Sequence, residues 1–319
     1  MAEFFQEHVA KLARAIAGDD EQRFLVVFHA LANQAETFAA GDVHENYRQA
    51  RSVLRRANTP PTRSAVGAVG DLPPDGLYSD MVYLANARKL VKDRSRIIGG
   101  VPTSDFPECV AVGSPDQWCC SGTLVAPNVV VTAAHCVKGG CCARVFLGED
   151  VAFEQDGTVV EVTKAVSHPS YGQTEANGDI AVLILASPAD VEPRAIASAA
   201  DVTSATFARL AGYGNTDVFS RGGYGRRRLV DAPMASNDPK YGCDTATEFV
   251  AGAPFLDKDS CNGDSGGPAY VSSGDKWLLA GATSRATASS LRPCGDGGIY
   301  TSVCAYEDWI RSVPGGEWS

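Results

Sequence analysis

With 319 residues, 45% of them hydrophobic, the chain can fill one large core or two modest ones. A net charge of −10 excludes broad binding to nucleic acid or anionic lipid, because both need a basic surface. Ten cysteines point toward an oxidising compartment, where disulfides persist.

The N-terminus pulls the other way. MAEFFQEHVAKLARAIAGDD has no basic segment, long apolar run or small-residue cleavage site of the kind a secretory signal carries. FLVVF, Phe24 to Phe28, is far too short to cross a bilayer. The chain as written therefore reads as soluble and cytoplasmic, with no membrane association, the alternative being secretion. Phe5, Val9, Leu12 and Ile16 fall at helical spacing, followed by apolar faces in Phe24 to Phe38 and in Val43, Tyr47, Ala50 and Leu54. The pattern predicts a small all-α bundle over residues 1–57. Residues 58–96 form a linker and activation segment. It opens with the Pro/Gly-rich run Asn58 to Gly76 and continues into one further helical stretch from Tyr78 to Arg94. The basic cluster Lys92, Arg94 and Arg96 then leads into RSRIIGG.

From Ile97 the texture is that of a β protein. Short runs such as VVVTAA, VVEVTKAV and DIAVLILA alternate with Gly, Pro, Asn and Ser clusters. A last helix is predicted over Ala305 to Val313, with Tyr306, Trp309 and Ile310 on one face.

Three short words carry chemistry: TAAHC at Thr132 to Cys136, NGDIAVL at Asn177 to Leu183, and CNGDSGGP at Cys261 to Pro268. A nucleophilic serine needs a base to take its proton and a carboxylate to hold that base in one tautomer. His135, Asp179 and Ser265 supply one of each, in the chain order His, Asp, Ser. With these words, residues 97–319 resemble a trypsin-like serine protease of the chymotrypsin family. The resemblance implies a double β-barrel with a C-terminal helix, behind the small helical domain. It also implies catalysis by His135, Asp179 and Ser265, with an oxyanion hole formed by the amides of Gly263 and Ser265.

The same resemblance makes Asp259, six residues before the serine, the floor of the primary specificity pocket. Ser284, Ala286 and Gly298 become its walls. A carboxylate there selects a protein substrate with Arg or Lys before the scissile bond. The sequence departs from the family at Arg285, where an aromatic is usual, and at Ala286, where glycine is usual. The first departure raises the prospect of a preference for acidic residues further upstream, and the second narrows the pocket mouth. The family also implies disulfides between Cys120 and Cys136 and between Cys261 and Cys294. Cys243 and Cys304 lack their usual partners, leaving a mutual bond or free thiols. Cys109, Cys119, Cys141 and Cys142 offer extra crosslinks in the first barrel; a metal site is disfavoured by their spacing. No cofactor is expected.

In the family, cleavage after a basic residue frees an α-amino group that pairs with the aspartate before the serine. Here those residues are Arg96, Ile97 and Asp264, and the expectation is a zymogen. The helical front third resembles adaptor domains of bacterial conflict-system proteases. That implies an effector in anti-phage defence, recruited by an upstream sensor that binds residues 1–57. The alternatives are a secreted, digestive-type protease with a helical pro-region, or a non-catalytic scaffold. SRGGYGRRRL, Ser220 to Leu229, reads as a basic loop and a candidate self-cleavage site.

Overall fold

A computed structural model describes residues 101–173, 178–216, 223–235, 241–252, 258–288, 290 and 294–318. The expected helical bundle of residues 1–57 and the segment 58–96 lie outside the described residues.

The strands form two closed antiparallel barrels. The first comprises β2 (Cys109–Gly113), β3 (Trp118–Ala126), β4 (Val129–Thr132), β5 (Arg144–Leu147), β6 (Thr158–Ser167) and β7 (Ala181–Leu185). It closes in the order β2-β3-β4-β7-β6-β5. The second contains β8 (Phe207–Gly212), β9 (Arg228–Ala235), β10 (Glu248–Ala251), β11 (Pro268–Ser273), β12 (Lys276–Ala286) and β13 (Gly298–Ser302). Its order, β9-β10-β13-β12-β11-β8, is closed by pairing of β8 with β9. A two-residue strand, β1 (Val101–Pro102), adds to the outside of β9.

The apolar runs are continuous because both faces of several strands are covered. Side chains alternate across a strand, so Val130, Leu183 and Leu185 fill the first barrel with Val110 and Leu124. Their neighbours Val129, Val131, Val182 and Ile184 join a core shared with Tyr213, Tyr270 and Ile310 of the second half. Leu210, Val230, Phe249, Val271 and Tyr300 fill the second barrel. Strand β6, with a largely exposed outer face, keeps the polar alternation.

Among the described residues, three short α-helices decorate the barrels: α1 (Ala134–Lys138), α2 (Ala199–Ser204) and α3 (Glu307–Ser312). The last is shorter than the sequence predicts, because Val303–Tyr306 forms a 3₁₀ turn before it. Among the described residues, no helix is long and apolar enough to cross a membrane.

Candidate active site

Helix α1 starts directly after β4 and carries His135. The His135 amide donates to Asp179 Oδ1 at 2.9 Å, and its ring Nδ1 lies 2.9 Å from Asp179 Oδ2. Asp179 precedes β7 and is 4% exposed. Burial pushes its carboxyl group up, but hydrogen bonds and charge from His135 and the Ser284 hydroxyl outweigh that and leave it below the usual carboxylate range. Thr301 Oγ1 on β13 donates to the Asp179 carbonyl at 3.0 Å, so the second barrel fixes this residue of the first.

Ser265 sits in a tight loop of the second half. Gly263 has φ 98° and Gly266 φ 76°, a region open to glycine at little cost. A Cβ on Gly266 would lie 2.0 Å from Thr132 Oγ1, so the close approach of the two barrels also demands glycine there. Ser121 clamps the loop: its amide donates to the Ser265 carbonyl at 2.9 Å and its hydroxyl to the Gly263 carbonyl at 2.9 Å. Sγ of Cys136, next to His135, lies 3.6 Å from that same Ser265 carbonyl oxygen. The amides of Gly263 and Ser265 donate to no group among the described residues.

Asp259 is anchored from several sides. Oδ1 accepts from the Ser260 amide at 2.7 Å and from Tyr300 OH at 3.1 Å, and Oδ2 accepts from the Gly297 amide at 2.9 Å. Burial nevertheless pushes its carboxyl group up to about 7, with nearby Asp296 adding to the rise. Gly298 keeps the space beside it open, since a Cβ there would stand 3.0 Å from Asp259 Oδ1. Ala286 is exposed and pairs with Gly298 across β12 and β13.

Ser284 is buried and its hydroxyl donates to Asp179 Oδ2 at 2.6 Å, a contact the sequence did not reveal. Arg285 does not offer a free cation to an acidic substrate residue. Its guanidinium grips the buried Glu248 through bonds of 2.6 and 2.9 Å and donates to the Gly242 carbonyl at 2.7 Å.

Disulfides join Cys120 to Cys136 and Cys261 to Cys294, and a third joins Cys119 to Cys141. Cys304 carries a free thiol, so it does not bond Cys243. Cys109 and Cys142 are also thiols, and burial pushes both upward, Cys142 to about 12, which makes them poor nucleophiles. The atoms of Cys120, His135 and Cys136 come close enough for a metal. Both sulfurs are committed to a disulfide, so this cluster is not a ligand set. Opening the 16-residue Cys120–Cys136 link with paired serine substitutions is expected to lower stability by about 3 kcal/mol, read as a drop in the denaturant midpoint.

Asp264 Oδ1 accepts from the Gly214 amide at 2.7 Å, and Oδ2 accepts from the Cys261 amide at 2.8 Å. Burial pushes its carboxyl group up to about 6, against these bonds and the charge of Arg228. The carboxylate opens onto a cleft lined by Leu210, Gly212, Arg228, Leu229 and Val230. Arg96 and Ile97 lie outside the described residues.

Two antiparallel barrels, with a carboxylate–imidazole pair on one and a glycine-flanked serine on the other, define the class of chymotrypsin-fold serine hydrolases. The family model Trypsin matches residues 97–310. "Trypsin" of Saccharopolyspora erythraea is 40% identical over 225 residues, covering 66% of this chain and 95% of its own. "Trypsin II-P29" of Gallus gallus is 34% identical over 237 residues, covering 69% and 90%. "Serine protease 1" of Rattus norvegicus is 32% identical over 235 residues, covering 70% and 92%. The chain belongs to the trypsin family: it is a trypsin-like serine endopeptidase, a hydrolase whose substrates are proteins.

Proposed function

We propose that this endopeptidase cleaves after Arg or Lys, using Ser265 as nucleophile, and that it is a zymogen activated by cleavage after Arg96. His135 takes the serine proton as general base and returns it to the leaving amine as general acid. Asp179 holds the ring and balances the imidazolium. The amides of Gly263 and Ser265 bind the oxyanion. The observation that carries the reading is the doubly bonded Asp179–His135 pair on the first barrel, with the Ser265 loop held to the same barrel by the two hydrogen bonds of Ser121.

Asp259 carries the specificity. A desolvated carboxylate gains most from a cation brought into the same low-dielectric space. Cleavage of a defined protein mixture, followed by mass spectrometry of the new termini, tests this directly. Cuts should follow Arg and Lys, and Asp259→Ser should lower kcat/KM for an Arg substrate by about 10² to 10⁴. Frequent cuts after neutral residues by the parent enzyme would overturn the assignment.

The raised Asp259 carboxyl also sets a pH dependence. Since its folded value of about 7 lies above the ordinary 3.8, the neutral form suits the free folded enzyme. Its contribution to stability is fully present below 3.8 and is lost as pH rises through about 7. Binding has the opposite sign, because a cationic side chain needs the ionised carboxylate. The ratio of kcat/KM for an Arg substrate to that for a neutral one should rise with pH and level off above about 7. Asp259→Asn should flatten that ratio.

Activation is supported by chain reach. Val101 pairs with Leu229 and Pro102 with Arg228, and both partners line the cleft beside Asp264. Ile97 stands four residues before Val101, within about 13 Å of extended chain. On this reading a freed Ile97 ammonium pairs with the desolvated Asp264 carboxylate.

For the front third, residues 1–57 act as a pro-region in one reading and as a sensor-binding adaptor of a defence effector in the other. Three disulfides favour an oxidising compartment, and with it the secreted alternative over the cytoplasm. The adaptor reading requires that the full chain retain a sensor partner through residues 1–57 in a pull-down. A chain lacking those residues that retains the same partner would count against it.

A further inference from the structure

We propose that Arg285 is a positioning residue for the Asp179–His135 pair, held in place by Glu248. The proposal rests on the catalytic roles given above and extends them to a residue at which the sequence departs from its family. Strand β12 slips register against β13 between Thr283, opposite Tyr300, and Arg285, opposite Ile299. Ser284 is the extra residue of that bulge. Bulges re-aim side chains, and this one directs the Ser284 hydroxyl to Asp179 Oδ2 at 2.6 Å.

Arg285 Nη1 lies 3.3 Å from Ser284 Oγ. A guanidinium can only donate and a carboxylate can only accept, so the single hydroxyl proton must go to Asp179 and the hydroxyl oxygen must accept from Arg285. The chain of donors runs in one direction, from Arg285 through Ser284 to Asp179. Each bond polarises the next.

The guanidinium itself has little freedom. Glu248, only 4% exposed, takes two of its N–H groups at 2.6 and 2.9 Å, in the bidentate form that fixes a plane. Glu248 Oε2 also accepts from the Asp244 amide at 2.8 Å. On β10, Glu248 pairs with Thr301 of β13, and Thr301 is the residue that holds the Asp179 carbonyl at 3.0 Å. The Ser284 grip on the Asp179 carboxylate thus leads back to an ion pair that joins β10 to β12, and the β13 residue paired with Glu248 is the one that holds the Asp179 backbone.

A one-residue substrate, acetyl-arginine p-nitroanilide, separates positioning from substrate contact, because it has no upstream residues for Arg285 to touch. The enzyme is the activated full chain. Replacing both members of the pair, R285M/E248M, avoids leaving a buried carboxylate without its cation. We expect kcat on this substrate to fall about tenfold, with KM within about twofold, as for loss of one bond to a charged group. Ser284→Ala should give a similar loss, and adding it to R285M/E248M should lower kcat little further, since both changes break one chain. Arg285→Lys keeps the charge without the fork and should fall between parent and double variant.

Unchanged kcat on the one-residue substrate, with losses confined to the KM of longer peptides, would overturn the proposal and make Arg285 a simple wall. Losses that multiply between Ser284→Ala and R285M/E248M would also overturn it. If the double variant fails to fold, as judged by thermal unfolding, Arg285→Lys decides: an unchanged kcat sinks the idea. His135→Ala is the control, because retained activity there would refute the catalytic reading itself, independently of Arg285.

Discussion

Ser265→Ala is expected to lower kcat on an Arg substrate by about 10⁶ while leaving KM within a few-fold. The substitution removes one oxygen and no contact that holds the fold, because the loop is secured through the backbone: Ser121 binds the carbonyls of Gly263 and Ser265, and the Asp264 carboxylate binds the amides of Cys261 and Gly214. Asp259, the proposed anchor for the Arg side chain, stays intact. His135→Ala should cost about as much, since an unactivated serine hydroxyl is a weak nucleophile at neutral pH. The double variant should be no worse than either single one, because the two groups act as a unit. Residual rate should remain about 10³ above the uncatalysed reaction, supplied by the Gly263 and Ser265 amides and by binding. Steady-state kinetics with active-site titration checks all four values.

Arg96→Gln should leave the uncut chain about 10² to 10⁴ less active than the cleaved enzyme. The physical reason is the state of Asp264. Its carboxyl group is desolvated, pushed up to about 6, and satisfied by two amides, with Arg228 as the charge that lowers it. On the proposed activation, cleavage would supply an ammonium that converts a costly buried carboxylate into an ion pair. Because Asp264 lies between Gly263 and Ser265, that pairing is expected to fix the two amides proposed to bind the oxyanion. Incubation of the parent with a catalytic amount of active enzyme, followed by N-terminal sequencing, should give Ile97-Ile98-Gly99-Gly100. Full activity of uncut Arg96→Gln chain would show that activation does not depend on this cut.

The local geometry of the candidate site was legible in the sequence where it is written in contiguous words. TAAHC places histidine at a strand-to-helix junction, and NGDSGGP places serine in a turn that needs glycine on both sides, so neighbouring residues carry that geometry. Runs such as VVVT and AVLIL marked strands, while the double barrel was legible only through the family resemblance of the three motifs. The bond from Ser284 to Asp179 was not legible, because the hydroxyl's direction depends on a bulge set by register with β13, which no local pattern encodes. Arg285 seemed to be a free cation because its carboxylate lies 37 residues away. Among the cysteines, Cys119 and Cys141 are bonded while adjacent Cys142 is not, a choice made by the pairing of β2 with β3 and β5 rather than by spacing.

If one serine, activated by one histidine, performs the hydrolysis, a phosphonofluoridate should label the activated enzyme at that serine. Intact-mass measurement and peptide mapping should find a single adduct on Ser265, loss of activity in step with labelling, and no labelling in His135→Ala over the same time. An enzyme that stays fully active after stoichiometric modification of Ser265, or that is inactivated by an adduct on another residue, would contradict that mechanism.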